Sequence, residues 1–177
     1  MAKHGRFHRL HVKHQLSQRA LVELKRDVFS DFVTMQLHQF DEKLGDGRYP
    51  CVQFATRKSP IFSEWHQRFY RDGRKIVPVD IADLVTPLST AIWFMDDGGA
   101  DYAGLSFETH NFGSEEVEHL VATLAARFEI RATTRANKGR RIIYIPASSV
   151  GSFCSLIGPH VLPELRYKLV PRRGRTP

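Results

Sequence analysis

At 177 residues, with 42% hydrophobic and 11% aromatic side chains, the chain can bury the core of one ordinary domain or two small ones, which excludes a mostly disordered protein. A net charge of +7 and a pI near 9.7 point to a polyanionic partner, nucleic acid ahead of an acidic membrane surface. No apolar run approaches the ~18 residues of a membrane span, MAKHGRFHRLHVKH lacks the apolar core of a secretory signal, and Cys51 and Cys154 form no CxxC, so the expectation is a reducing compartment (cytoplasm or organellar matrix, not secreted) without a disulfide.

His8 to His14 reads as an extended strand. Ser17 then caps a helix to about Val33, with Ala20, Leu21, Leu24, Val28 and Phe32 at helical spacing. Gln36 to Tyr49 is polar, carries GDG and reads as a loop or hairpin, and Cys51 to Thr56 as a strand. Ser59-Pro60 opens a second helix, which stops at Asp72-Gly73. Thr86-Pro87 opens a third, PLSTAIWFMDDGG, ended by Gly98-Gly99 through the left-handed conformation that glycine accepts. Leu105 to Phe112 is expected as a strand, Glu115 to Phe128 as a helix, and Ile130 to Ala136 with Arg141 to Ile145 as a hairpin across Asn137-Lys138-Gly139. A last helix runs from Ser148 or Ser149 to near Gly158, before the basic tail PRRGRTP. Residues 6–80 repeat the order seen from Thr86 onward, loosely and without an opening helix. These elements predict an α+β protein with antiparallel sheets.

The segment TPLSTAIWFMDDGG is the most informative. An apolar helix that ends in Asp96-Asp97-Gly98 puts carboxylates where the helix dipole disfavours them by a few tenths of a kcal/mol. A bound cation offsets that cost, and hard oxygen ligands at a helix end suit Mg²⁺. Alone, the segment is better read as a surface Asp-Asp-Gly turn after a core helix. PLSTAIWFMDDGG, however, resembles the second signature helix of the LAGLIDADG homing endonucleases, in the group of the mitochondrial omega-intron enzyme. LSFETHNFGSEEVEHLVATL, RRIIYIPASSVGSFCSLIGPHVLPEL, RYKLVP, RKIVP and SPIFSEWHQRFY extend the resemblance from about His8 to Pro171.

The resemblance implies two half-domains of αββαββα form about a pseudo-twofold axis, each presenting a curved antiparallel sheet to the DNA major groove. The expected division is residues 1–84, residues 85–171 and a basic tail, 172–177. It implies Mg²⁺ (or another divalent cation) on Asp97, with the Gly98 carbonyl as a further ligand and Asp96 as the less favoured carboxylate. Lys168 and Lys75 take the place of the family's basic active-site residue in the second and first halves. Ser89, Thr90 and Ala91 are small enough to form a seam with a partner helix. The implied function is site-specific cleavage of double-stranded DNA by an intron-encoded enzyme, without zinc; the alternative is a nickase, or a module of the same fold that binds DNA or intron RNA without cutting.

The first half departs from the family by starting at its first strand, so a single signature helix supplies a single Asp97. Three readings follow. Two chains pair through the helices of residues 87–98; a separate peptide or upstream stretch supplies the missing helix; or the first half has decayed to a binder, a nickase or an RNA-adapted protein.

For DNA reading, alternation puts Arg131, Thr133 and Arg135 on one face of a strand the family turns toward DNA, and Ser106, Glu108 and His110 on one face of another. Lys138, Arg140 and Arg141 are expected on phosphates. His4, His8, His11 and His14 match no zinc spacing and read as a basic strand and arm.

Overall fold

Polar-apolar alternation in the strands and apolar stripes in the helices generate two antiparallel sheets backed by helices. The computed structural model describes residues 7–137 and 139–172. The chain divides into two compact units, Met1–Arg68 and Phe69–Pro177.

The first unit runs β1 (His11–Gln15), a 3₁₀ turn at Leu16–Gln18, α1 (Arg19–Val28), a 3₁₀ turn at Ser30–Phe32, β2 (His38–Leu44), β3 (Gly47–Ala55) and α2 (Pro60–Phe69). Ser17 does not cap α1: it lies in the 3₁₀ turn, Gln18 is the N-cap without a side-chain bond, and the helix stops at Val28 rather than Val33. The sheet has the order β1-β3-β2, both pairs antiparallel. Val12, Val52 and Phe54 from one face of it pack with Val22 of α1, and Leu10, Leu16, Phe29, Val33 and Leu37 close the cluster. The polar stretch around GDG is thus a hairpin, β2 against β3.

The second unit begins with a short hairpin, β4 (Tyr70–Arg71) and β5 (Arg74–Lys75), and a one-turn helix, α3 (Ile81–Leu84). Asp72-Gly73 does not end α2. Its φ values of 51° and 76° are the doubly left-handed geometry of a two-residue hairpin turn. Next come α4 (Pro87–Asp97), β6 (Gly98–Ala100), β7 (Leu105–Phe107), α5 (Ser114–Phe128), β8 (Thr133–Asn137), β9 (Arg140–Ile145), α6 (Ala147–Ile157) and 3₁₀ turns at Gly158–His160 and Pro163–Leu169. From α4 to α6 the order is αββαββα. The residues before Ile81, expected in the first half, are tied to this unit by Arg74 Nη2 on Glu116 Oε2 (2.6 Å) and the Val77 amide on Glu116 Oε1 (3.0 Å).

The sheet order β6-β7-β9-β8 fixes the site. Phe94 of α4, Phe107 of β7 and Phe153 of α6 are fully buried and meet edge-to-face at 5.3–5.8 Å, each pair worth roughly 0.5–1.5 kcal/mol beyond its burial. The path β1-α1-β2-β3-α2, with sheet order β1-β3-β2, repeats β7-α5-β8-β9-α6, with order β7-β9-β8. Among the described residues the first unit has no counterpart of α4 and β6.

Candidate functional site

Helix α4 starts where its chemistry dictates. Thr86 accepts from the Ser89 amide (3.1 Å) while Ser89 Oγ accepts from the Thr86 amide (2.8 Å), and Pro87 occupies the first turn. Its end differs from the expectation. Gly98 is extended (φ −93°, ψ 162°), and the chain passes directly into β6. Glycine is required there by space: a Cβ on Gly98 would sit 2.2 Å from the Phe94 ring. Asp97, the last helical residue, is therefore anchored between a buried helix and a strand, with its carbonyl accepting the Glu108 amide at 2.8 Å. Carbonyls alternate along a strand, so that of Gly98 points away from β7.

Lys168 reaches this helix end from the last 3₁₀ turn, 73 positions away from its acceptor. Its Nζ donates to the Met95 carbonyl at 2.5 Å, with the Asp96 carbonyl 3.5 Å away. Both carbonyls belong to the last helical turn, where backbone acceptors lack intrahelical partners and a cation is favoured. Burial pushes the Lys168 pKa below that of an ordinary lysine, while Asp96 and Asp97 pull it back up. An ammonium half-buried at a pair of carboxylates is a prepared charge site. Lys75 lies elsewhere, exposed on β5 with its Nζ 5.6 Å above the Phe112 ring.

The donors fit a hard cation in part. The exposed Asp97 carboxylate and the Gly98 carbonyl are hard oxygen donors, and the neighbouring residue, Asp96, carries a second carboxylate. Among the described residues no group of three or more His, Cys, Asp and Glu could hold a metal. The set thus suits an ion such as Mg²⁺, which keeps waters and takes phosphate oxygens as ligands.

Of the expected seam, only Ser89 is exposed, and its hydroxyl is engaged in the N-cap; Thr90 and Ala91 are buried at 1% and 0% exposure. Consecutive helical residues fan out by about 100°, so the three cannot share a narrow face. The exposed side of α4 instead carries Leu88 and Ser89, with Ile92 and Asp96 half-buried beside them.

The sheet of the second unit has one face under helices and one open. Register puts Ser106, Thr133, Arg135, Asn137, Arg140 and Tyr144 on the open face. Arg135 has its guanidinium carbon 3.1 Å above the centre of the Tyr144 ring and its Nη1 3.6 Å from Asp101, contacts that favour one side-chain placement. Arg131 precedes β8 but keeps the alternation, exposed like Thr133 and Arg135. Arg140 donates to the His110 carbonyl at 2.6 Å. Arg141 points the other way, as adjacent strand residues must, and meets Glu118 of α5 (3.3 Å) and Thr134 (2.8 Å), so it leaves the phosphate-contact set. Lys138 lies outside the described residues.

Glu108 and His110 are not strand neighbours of Ser106, because β7 ends at Phe107 and Thr109 turns inward to bond the Arg141 carbonyl. They still meet, His110 Nε2 and Glu108 Oε2 being 2.9 Å apart, and Asn137 donates to Glu108 at 3.4 Å. Asp101, against Arg135, and Asn137 and Tyr144, on the open face, are placements that sequence reasoning passed over. Extending the period-2 pattern of β8 and β9 would have found the last two.

Of the expected histidine arm, His4 lies outside the described residues. His8 stacks on His66, His11 bonds Gln53, and His14 bonds Gln18.

This geometry has close parallels. The family model described as the LAGLIDADG DNA endonuclease family matches residues 2–153. The cytochrome b mRNA maturase bI2 of Debaryomyces hansenii is 34% identical over 120 residues, 67% of this chain and 46% of that protein. Probable intron-encoded endonuclease 1 of Wickerhamomyces canadensis is 32% identical over 161 residues, 86% of this chain and 70% of that protein. The chain thus spans less than half the length of the first of these relatives. The solved structure of the homing endonuclease I-WcaI bound to its DNA recognition sequence matches with a TM-score of 0.87 at 28% identity, covering 97% of this chain and 79% of that one. With a match that takes in α4, both sheets and most of α6, the chain belongs to the LAGLIDADG DNA endonuclease family.

Proposed function

We propose that the chain is a site-specific endonuclease, intron-encoded, that binds double-stranded DNA and hydrolyses a phosphodiester bond at the C-terminal end of α4. The observation that carries this reading is the delivery of Lys168 to the helix end that bears Asp97. The open sheet face, with Arg135, Arg140, Ser106, Thr133 and Arg131, receives the duplex; base edges give the sequence preference and phosphates the affinity. Asp97 and the Gly98 carbonyl would hold Mg²⁺, Asp96 being the less favoured ligand. When bound, the ion supplies a more acidic water and charge opposite the scissile phosphate.

The chain's own groups do the rest. The Asp97 carboxylate, fixed by a buried helix, orients water at the phosphate. One Lys168 proton is held by the Met95 carbonyl, and the ammonium keeps others to donate to the oxygens that gain negative charge. Lys75, over Phe112, is given no role in this step. The described residues provide one such helix end, so a cut in both strands draws a second carboxylate from another copy, from a separate peptide or from an upstream stretch. Cys51 and Cys154 are free thiols, which suits a reducing organellar matrix or cytoplasm, and no helix of the described residues is long and apolar enough to cross a membrane.

The test is a cleavage selection on a randomised duplex pool with Mg²⁺, wild type beside Asp97→Asn. Cuts at a shared site that vanish in the variant are the expected result, with nicks signifying one working helix end and double-strand breaks two. Scission that survives Asp97→Asn would refute the assignment. The likeness to a maturase favours a second reading, a module that binds intron RNA without cutting. Retention of intron RNA together with an absence of any cut would establish it.

A further inference from the structure

On the open face of the first unit's sheet, a glutamine is gripped from both sides. The order β1-β3-β2 makes β3 the central strand, and the register places His38 of β2 opposite Gln53 and His11 of β1 one diagonal step away. All three side chains lie on the face away from Val12, Val52 and Phe54. Gln53 Oε1 is 2.9 Å from His11 Nε2, and Gln53 Nε2 is 3.3 Å from His38 Nδ1. The His38 ring is itself stacked on Phe40, with centroids 5.4 Å apart and planes at 13°. His11 and His38 are exposed and Gln53 half-buried.

A carboxamide has two acceptor lone pairs on oxygen and two donor protons on nitrogen. With neighbours on both adjoining strands, each imidazole takes one of these from the flank. Those two bonds leave the carboxamide one acceptor and one donor. The opposite amide orientation, with both imidazoles in their other tautomers, leaves the same two groups in reversed order. In the major groove, only adenine offers a donor (N6–H) beside an acceptor (N7) to complete both bonds. Guanine presents two acceptors, and cytosine and thymine allow one bond each.

We infer that Gln53, clamped by His11 and His38, reads an adenine at one position of the duplex. This rests on the reading of the chain as a double-stranded DNA endonuclease. Gln53 is the specificity-determining contact, and His11 and His38 are positioning residues. The clamp fixes the amide plane before DNA arrives, so the side chain loses little rotamer freedom on binding.

The experiment selects duplexes retained by the full chain from a randomised pool, in EDTA so that binding is read without cleavage. Wild type is compared with Gln53→Ala, Gln53→Glu, His38→Ala and Arg135→Ala. Wild type should give a motif with one adenine column that Gln53→Ala flattens, Gln53→Glu turns toward cytosine, and Arg135→Ala leaves intact. Replacing that base by another should weaken wild-type binding roughly 5- to 150-fold and Gln53→Ala about 2-fold at most. Substituting 7-deazaadenine, which lacks the N7 acceptor, should weaken wild type and leave Gln53→Ala unmoved. His38→Ala should blunt the same column alone, and His38→Asn, which keeps an acceptor, should restore part of it. A sequence motif that is the same in wild type and Gln53→Ala overturns this inference and leaves the endonuclease reading standing. No selective retention by wild type overturns this inference, and only together with an absence of cuts in the Mg²⁺ selection does it overturn the endonuclease reading as well.

Discussion

Replacing Lys168 by Met removes a half-buried ammonium while keeping most of the stem that packs there. Two effects oppose one another. The charged hydrogen bond to the Met95 carbonyl is lost, at about 1.5–3 kcal/mol for such a bond. Against that, burial disfavours the ammonium and pushes its pKa down despite Asp96 and Asp97, so removing the charge offsets part of that loss. The net change in stability should therefore be smaller than the bond alone suggests, each kcal/mol moving Tm by about 2–4 °C in a chain of this size. Cleavage should nevertheless fall by about 10²–10³, the loss typical of one donor to a developing negative charge. Lys168→Gln, which keeps a donor and drops the charge, should melt at or above the wild type. The sign of the pH dependence follows from the lowered value. Below the folded pKa the side chain is charged in both folded and unfolded chains, so the cost of burying it is present in full. As pH rises through the folded pKa toward the ordinary 10.5, that cost is released, and wild type gains on Lys168→Gln. Thermal melts between pH 7 and 10, paired with a plasmid-nicking assay, measure both. A Lys168→Gln protein that melts well below wild type at pH 7 would refute the reasoning and make Lys168 a helix cap first.

Two further outcomes follow from α4. Thr90 Oγ1 is buried without a hydrogen-bond partner, so Thr90→Val should stabilise by about 1 kcal/mol and raise Tm by about 2–4 °C; a lower Tm in melts would contradict that. Gly98→Ala drives a methyl into the Phe94 ring and should cost roughly 1–3 kcal/mol, whereas Gly99→Ala meets nothing within 4 Å; equal denaturation midpoints for the two variants would remove the packing explanation of Gly98.

What the sequence made legible is what local chemistry specifies. The opening of α4 is written in Thr86-Pro87 and Ser89, and the acidic helix end in Asp96-Asp97-Gly98. Lys168 was legible only through its RYKL context, since nothing in the residue itself sets it apart from the other 25 basic side chains. What stayed hidden depends on partners distant in sequence. Strand β6 is too short and glycine-rich to show alternation, and a Gly-Gly pair after a helix reads as a left-handed cap until β7 pairs with it. Strand β2 is exposed along most of its length and owes its register to β3, so its polar residues look like a loop. Glu108 and His110 were placed on a strand that stops at Phe107, because the inward turn of Thr109 is set by a carbonyl 32 positions away. The clamp on Gln53 spans three strands and appears only with the register.

The charge of the open faces is also less available than the composition suggests. Arg135 is engaged by Asp101 and Tyr144, Arg140 by the His110 carbonyl, and Lys13 by Glu42 at 2.5 Å. Each pairing lowers the pull on phosphates at long range, because a neutralised cation releases fewer counterions when DNA binds. In return the group is held in one orientation. In the proposed interface, a guanidinium seated over Tyr144 would meet a guanine edge or a phosphate pair from a defined direction, and the carboxylate beside it would repel a phosphate that arrives out of register. An interface built this way gives up some general affinity and gains discrimination between correct and shifted placements. A site-specific nuclease needs that exchange, because a cut at a misplaced register cannot be reversed by dissociation.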